Sequence, residues 1–136
     1  MLRKDAKLEL LKRVPLFALC SKHELAEISR LADEIDLPEG KVLAQEGDRG
    51  REFFVLVEGS AEVRRHGETV NVLGDGDFFG EIALVSGRPR TATVTATSPV
   101  RALVVTEQAF GALLRKSPEI QTKVLQALAE RVPIDC

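Results

Sequence analysis

Cysteine is scarce in this chain of 136 residues, which has only Cys20 and Cys136. Two thiols are too few for a disulfide framework, and their separation matches no zinc-ligand spacing. A reduced, cytoplasmic setting follows, with both cysteines read as plain buried or terminal thiols. Histidine is equally sparse, and neither His23 nor His66 falls near the segment with the most unusual chemistry. No Walker-type phosphate loop is present. No apolar run approaches the roughly 20 residues that span a bilayer, and the N-terminus lacks the apolar core of a secretory leader. The formal charge of −2 gives no electrostatic reason to expect direct nucleic-acid binding by this segment. There is no low-complexity tract and no repeat.

What the chain does contain is one domain's worth of ordinary globular composition, 44% hydrophobic and 29% charged, long enough for a single core. Its most informative stretch runs from Phe78 to Val94. An apolar run there, Phe78-Phe79-Gly80-Glu81-Ile82-Ala83-Leu84-Val85, has an acid in its middle, and a Gly87-Arg88-Pro89-Arg90 turn follows. A carboxylate among so many apolar neighbours is costly unless it is paired and hydrogen-bonded. Arg90 is the obvious cation to return to it. Gly80 frees the backbone, and Glu81-Ile82-Ala83-Leu84 is long enough for one helical turn whose first N–H groups would face an anion. Arg90 adds a planar cationic fork suited to phosphate oxygens. An acid beside a phosphate site makes sense if the ligand also carries hydroxyls, as a nucleotide or sugar phosphate does. A Glu81–Arg90 salt bridge that merely closes a loop would leave the same pattern.

Phe79-Gly80-Glu81-Ile82-Ala83-Leu84 followed by Pro89-Arg90-Thr91-Ala92-Thr93 resembles the phosphate-binding cassette of cyclic-nucleotide-binding domains, the ligand modules of catabolite-activator-type regulators, cyclic-nucleotide-gated channels and cyclic-nucleotide-dependent kinases. The resemblance implies that Glu81 takes the ribose 2′-hydroxyl and Arg90 the cyclic phosphate. Gly80, Ile82 and Ala83, with Thr91, would complete the cradle. Val63 resembles the position that lines the base pocket, although a simple core valine fits it equally. Glu46-Gly47-Asp48 and Phe53-Phe54-Val55-Leu56-Glu58-Gly59-Ser60 also resemble family patterns, with Val57 inserted in the second.

The remaining chain fits that frame. Asp5 to Val14 reads as a short helix with Leu8, Leu11 and Leu10 inward, stopped by Pro15; Leu16 and Phe17 form an apolar plug. Ser21 and Glu24 make a capping box for a helix from Lys22 to Ala32 with Leu25, Ile28 and Ala32 inward. His23, in its first turn, reads as a solvated surface residue. From Ile35 short β-like runs alternate with Gly- and Asp-rich turns: Lys41–Gln45, Glu52–Glu58, Ala61–Arg64, Thr69–Leu73, a half-buried strand through Val94, and Arg101–Val105. Such spacing predicts a sandwich, barrel or jelly roll. Helices return at Glu107–Arg115 and, behind the Ser117-Pro118 start signal, from there to Arg131. Arg131 ends the apolar stripe Ile120, Val124, Ala127, Leu128. It is either a solvated charge at a helix C-terminus or, as the resemblance implies, a lid contact over the base.

The expected fold is α+β: an antiparallel β-roll (double-stranded β-helix, or jelly roll) flanked by N-terminal and C-terminal helices. Residues 1–136 form a single cyclic-nucleotide-binding domain, with N-terminal helices in 1–34, the roll in 35–106, the phosphate-binding cassette at 79–92 and lid helices in 107–132. The expected function is non-catalytic sensing of a cyclic nucleotide, cAMP favoured over cGMP, with occupancy passed on through movement of the C-terminal helix. The nucleotide is ligand rather than cofactor, and neither cofactor nor metal is expected. No metal site or general base is visible that a cyclic-phosphate hydrolase would need. A ligand-free structural or protein-interaction roll is the alternative. No membrane-spanning segment and no helix-turn-helix is seen, so the domain is either stand-alone or part of a larger protein, with room for an effector domain or a homodimer.

Overall fold

The computed structural model describes residues 3–86 and 88–131, and all their side chains except those of residues 83, 86, 130 and 131. In chain order the elements are α1 (Lys4–Lys12), a 3-10 turn (Pro15–Phe17), α2 (Lys22–Ser29), β1 (Asp33–Leu37), β2 (Val42–Ala44), β3 (Glu52–Glu58), β4 (Ala61–Arg65), β5 (Glu68–Leu73), β6 (Phe78–Phe79), α3 (Ala83–Ser86), β7 (Thr93–Ala96), β8 (Val100–Thr106), α4 (Glu107–Lys116) and α5 (Pro118–Arg131). The strands form two four-stranded antiparallel sheets, ordered β1-β8-β3-β6 and β2-β7-β4-β5. The antiparallel roll between N-terminal and C-terminal helices is therefore the observed architecture.

Alternation along β3 and β8 divides the apolar residues between two cores. Phe53 and Val55 of β3, with Leu103 and Val105 of β8, face the helices and pack with Leu11, Phe17, Ile28, Phe110, Ile120 and Val124. Leu56, Val100 and Ala102 face the other sheet and meet Ala44, Ala61, Leu73, Val94 and Ala96. Four of these eight inter-sheet residues are alanines, so the sheets approach closely there. Ring contacts follow the same division. Phe110, Phe17, Phe53 and Phe78 form a chain of rings on the helix side, with successive centroids 5.6, 5.9 and 6.2 Å apart. On the opposite side Phe54 stacks on Phe79 at 5.0 Å. The Phe53-Phe54 and Phe78-Phe79 pairs thus bind β6 to β3 from both faces and hold the start of the cassette in place.

Val57, the extra residue in the family-like run, is accommodated as a β-bulge: Leu56 pairs with Ala102, and Glu58 with the adjacent Arg101. The β4–β5 hairpin closes through His66-Gly67, with φ of 52° and 81°, the two-residue turn whose twist matches paired strands.

Several element ends differ from expectation. α2 stops at Ser29, three residues before Ala32, because Leu31 and Ala32 donate to Ile28 and Ser29 in tighter three-residue turns. The Ser29 hydroxyl also bonds back to the Ala26 carbonyl at 2.7 Å. The roll begins at Asp33, ahead of Ile35: the acidic run Asp33-Glu34-Ile35-Asp36-Leu37 pairs in full register with β8. The capping box on α2 is as expected, with Ser21 Oγ accepting from Glu24 N and Glu24 Oε1 from Ser21 N. α5 packs against the 3-10 turn and buries Ile120, Val124 and Ala127.

Candidate functional site

Arg90 is positioned by backbone ladders. Its N–H donates to the Asp48 carbonyl at 2.6 Å, and its carbonyl accepts from Gly47 N at 2.9 Å. Gly50 N bonds the Arg88 carbonyl, and Arg49 bridges to Pro89. The turn at 46–50 is therefore what presents the arginine, and Gly47 adopts φ +90° to let it do so. From that anchor the guanidinium reaches across β3 and donates from Nη2 to the Glu52 carbonyl at 2.6 Å. Desolvation weakens its hold on its proton and outweighs the opposing pull of the Glu52 charge.

Gly80 makes this placement possible. It sits at φ +85°, and a Cβ there would lie 2.9 Å from the Glu52 carbonyl oxygen and clash with Arg90 Nη1. The glycine thus clears room for a guanidinium as well as supplying a left-handed backbone. Glu81 follows, 7% exposed. The expected helical turn from Glu81 to Leu84 is displaced: Glu81 and Ile82 form a turn, and α3 begins at Ala83. The shift comes from three-residue bonds, Leu84 N to the Glu81 carbonyl and Val85 N to the Ile82 carbonyl.

A cavity of about 270 Å³ opens between this cassette and the second sheet. Val63, Leu73, Phe79 and Val94 give it apolar walls; Gly80, Arg90 and Thr91 stand on one side of it, and Arg65 and Asn71 join from β4 and β5. Of the residues expected at the site, the structure brings Val63, Gly80, Arg90 and Thr91 onto this one cavity. Glu81 and Ile82 continue the chain from Gly80 without lining it. Val63 also packs partly on the inter-sheet core, as a core valine would. The side chain of Arg131 lies outside the described residues, as does that of Ala83. Among the described residues of α5 none lines the cavity.

One expectation is corrected. His66 is not remote: with Glu46, Gly47, Arg65, Arg90 and Thr91 it lines an adjoining outer cavity of about 440 Å³. The β4–β5 hairpin folds back beside the cassette and carries it there. Its backbone N–H donates to Glu46 Oε1 at 3.0 Å, and its Nδ1 lies 3.3 Å from Glu46 Oε2. Sequence reading also missed Arg65, Asn71 and the Glu52 carbonyl. The two-residue period of β4 from Val63 signals Arg65; nothing local signals a main-chain oxygen.

The match to known proteins follows this geometry. The family model of the cyclic nucleotide-binding domain matches residues 34–117. The chain belongs to the cyclic nucleotide-binding domain family. This cyclic nucleotide-binding domain is 44% identical over 110 residues to the cAMP-dependent protein kinase regulatory subunit of Mycosarcoma maydis, covering 74% of this chain and 21% of the subunit. It therefore spans about a fifth of that relative's length. Among solved structures it resembles the N-terminal domain of a Streptomyces coelicolor A3(2) transcriptional regulator, with a TM-score of 0.82 and 33% identity over 90% of this chain and 91% of that one. It also resembles the regulatory domain of Toxoplasma gondii PKA, solved with cAMP, with a TM-score of 0.73 and 29% identity over 80% of this chain and 43% of that one. Among the described residues no helix is long and apolar enough to cross a membrane.

Proposed function

We propose that the domain is a non-catalytic sensor that binds cAMP in preference to cGMP and passes occupancy on through its C-terminal helix. The observation that carries this reading is the convergence of Val63, Gly80, Arg90 and Thr91 on one cavity, apolar along its walls and cationic at one side. A purine and ribose need the first property, and a cyclic phosphate needs the second. Arg90 takes the phosphate. Glu81 accepts the ribose 2′-hydroxyl, the backbone of Gly80, Ile82 and Ala83 completes the cradle with Thr91, and Val63 backs the base. Residues 1–136 act as one unit, with the cassette at 79–92 and the lid in 107–132. The cAMP in the Toxoplasma regulatory domain and the cAMP-dependent kinase subunit from Mycosarcoma support the choice of base. Cys20 as a free thiol suits a reducing cytoplasm, where the nucleotide is encountered.

Transmission is a population shift. In this structure α5 sits on the 3-10 turn at Pro15–Phe17. Ligand contacts made only when α5 is drawn toward the cavity favour that second position; a ligand gripping both positions equally would shift nothing. Calorimetric titration with cAMP, cGMP and 5′-AMP tests the reading, repeated on Arg90→Ala. The expected result is binding of both cyclic nucleotides, cAMP the tighter. The variant should lose about 2–5 kcal/mol, the range for truncating one side of a desolvated charged contact. Absence of heat and of thermal shift with either nucleotide would overturn the reading and leave a ligand-free roll.

A further inference from the structure

We infer that Arg65 is a second phosphate-recognising side chain, opposing Arg90 across the site; the inference rests on the cyclic-nucleotide reading. β4 runs beside β7 in unbroken register, Ala61 to Ala96, Glu62 to Thr95, Val63 to Val94 and Arg64 to Thr93. The two-residue period puts Ala61 and Val63 on the inner face, and Arg65, one residue past that ladder and exposed, lines the same cavity as Val63. The face grades from closed core at Ala61, through the cavity wall at Val63, to a cation at the rim. Its neighbour Arg64 turns the other way and is paired with Glu62 at 2.9 Å.

Arg65 Nε donates to the Thr91 carbonyl at 3.3 Å, one residue from Arg90. That contact uses one of five N–H donors of a guanidinium and leaves its charge against a neutral oxygen. Arg65, Arg90 and Thr91 are the three residues common to the inner and outer cavities. Two arginines thus stand where the two cavities adjoin. Glu46 is the acid on the outer side, and His66 engages both of its oxygens. A cyclic phosphate lying over Thr91 meets Arg90 from the cassette and Arg65 from the hairpin. Because Arg65 stands at the phosphate end, it raises affinity for any cyclic nucleotide and is indifferent to the base.

The test compares Arg65→Gln, Arg65→Lys and Arg64→Gln with wild type, titrating cAMP and cGMP at low and high salt. Arg65→Gln should weaken both nucleotides by the same factor, about tenfold or more, the equivalent of one charge-assisted hydrogen bond. It should also flatten the salt dependence of affinity, which a change confined to tying the Thr91 turn would leave in place. Arg65→Lys should keep the salt dependence and recover part of the affinity. Arg64→Gln should match wild type. Unchanged affinity in Arg65→Gln, a loss that differs between the two bases, or a loss with wild-type salt dependence would each overturn the role. Wild-type protein that binds neither nucleotide overturns the cyclic-nucleotide reading, and this inference with it, whereas binding by wild type with an inert Arg65 overturns this inference alone.

Discussion

At the scale of single residues, Gly80 bears the greatest constraint in the site. Its positive φ and the crowding of a would-be Cβ against the Glu52 carbonyl and Arg90 act together. Gly80→Ala should cost about 1–3 kcal/mol of stability, the range for a residue forced into a strained backbone region. It should also weaken cAMP binding by pushing the Arg90 guanidinium aside. Urea unfolding and calorimetry would read the two effects, and wild-type values in both would contradict this account of the glycine. Gly80, Glu81 and Arg90 stand out as candidates in the sequence because an acid inside an apolar run and an arginine after a proline demand explanation; the structure brings Gly80 and Arg90 onto one cavity. The oxygen that holds Arg90 does not stand out. It is the main-chain carbonyl of Glu52, 38 residues away, and any residue type at 52 would supply it. Arg65 was obscured in a different way, by sitting next to Arg64: the two-residue period from Val63 singles it out only once Val63 is known to line a cavity.

At the scale of elements, the capping box of α2 does more than end a helix. Glu24 Oε1 accepts from Ser21 N at 2.8 Å and from Lys123 Nζ of α5 at 2.5 Å, so one carboxylate ties α2 to the final helix. Its other oxygen, Oε2, is buried without a hydrogen-bond partner among the described residues. The lysine contact and the Ser21 N–H hold the Glu24 carboxyl below its usual range, and Glu24 in turn raises Lys123. A carboxylate with a depressed folded-state pKa stabilises the fold above its unfolded value, and that stability is lost as pH falls through the lower folded value. Lys123 acts in the opposite sense: its contribution is complete below the unfolded lysine value and fades as pH rises through the folded one. Stability should therefore be level through neutral pH and fall in acid, starting below about pH 4.5, the ordinary value for Glu24. Thermal melts of Glu24→Gln against wild type would check this. The variant should be less stable at pH 7 and should lose less on acidification; an identical acid limb would exclude Glu24 as its source. Ser21 and Glu24 announced the cap from sequence spacing alone, but the partner from α5 is 99 residues away and depends on how the helices pack.

At the scale of the whole molecule, the roll between helices was legible because short strands recur between Gly- and Asp-rich turns, the strand through Val94 alternates, and the last helix has an apolar stripe. The division into two cores was not, because β3 and β8 read as near-continuous apolar runs, EFFVLVE and VRALVVT, buried on both faces. The acidic strand β1 was less legible than the other strands, since its pairing with β8 supplies what its side chains do not. The proposed transmission turns on the position of α5. Cys20 lies beside this seam, half-buried, with burial first and the Glu24 charge second pushing its thiol up to about 11. Drawing α5 toward the cavity should separate Lys123 from Glu24 and uncover that thiol. In a Cys136→Ser background, alkylation of Cys20 should quicken when cAMP is added, and an unchanged rate would mean that α5 stays on its seat. The phenylalanine rings have a consequence of another kind. All six of the chain's aromatic residues stand in the two ring groups around β3, and the sequence has neither tryptophan nor tyrosine. The polypeptide is consequently almost transparent in the near ultraviolet. A purine held in the cavity would be its one strong chromophore, so nucleotide carried through purification would announce itself in the absorption spectrum before any titration is begun.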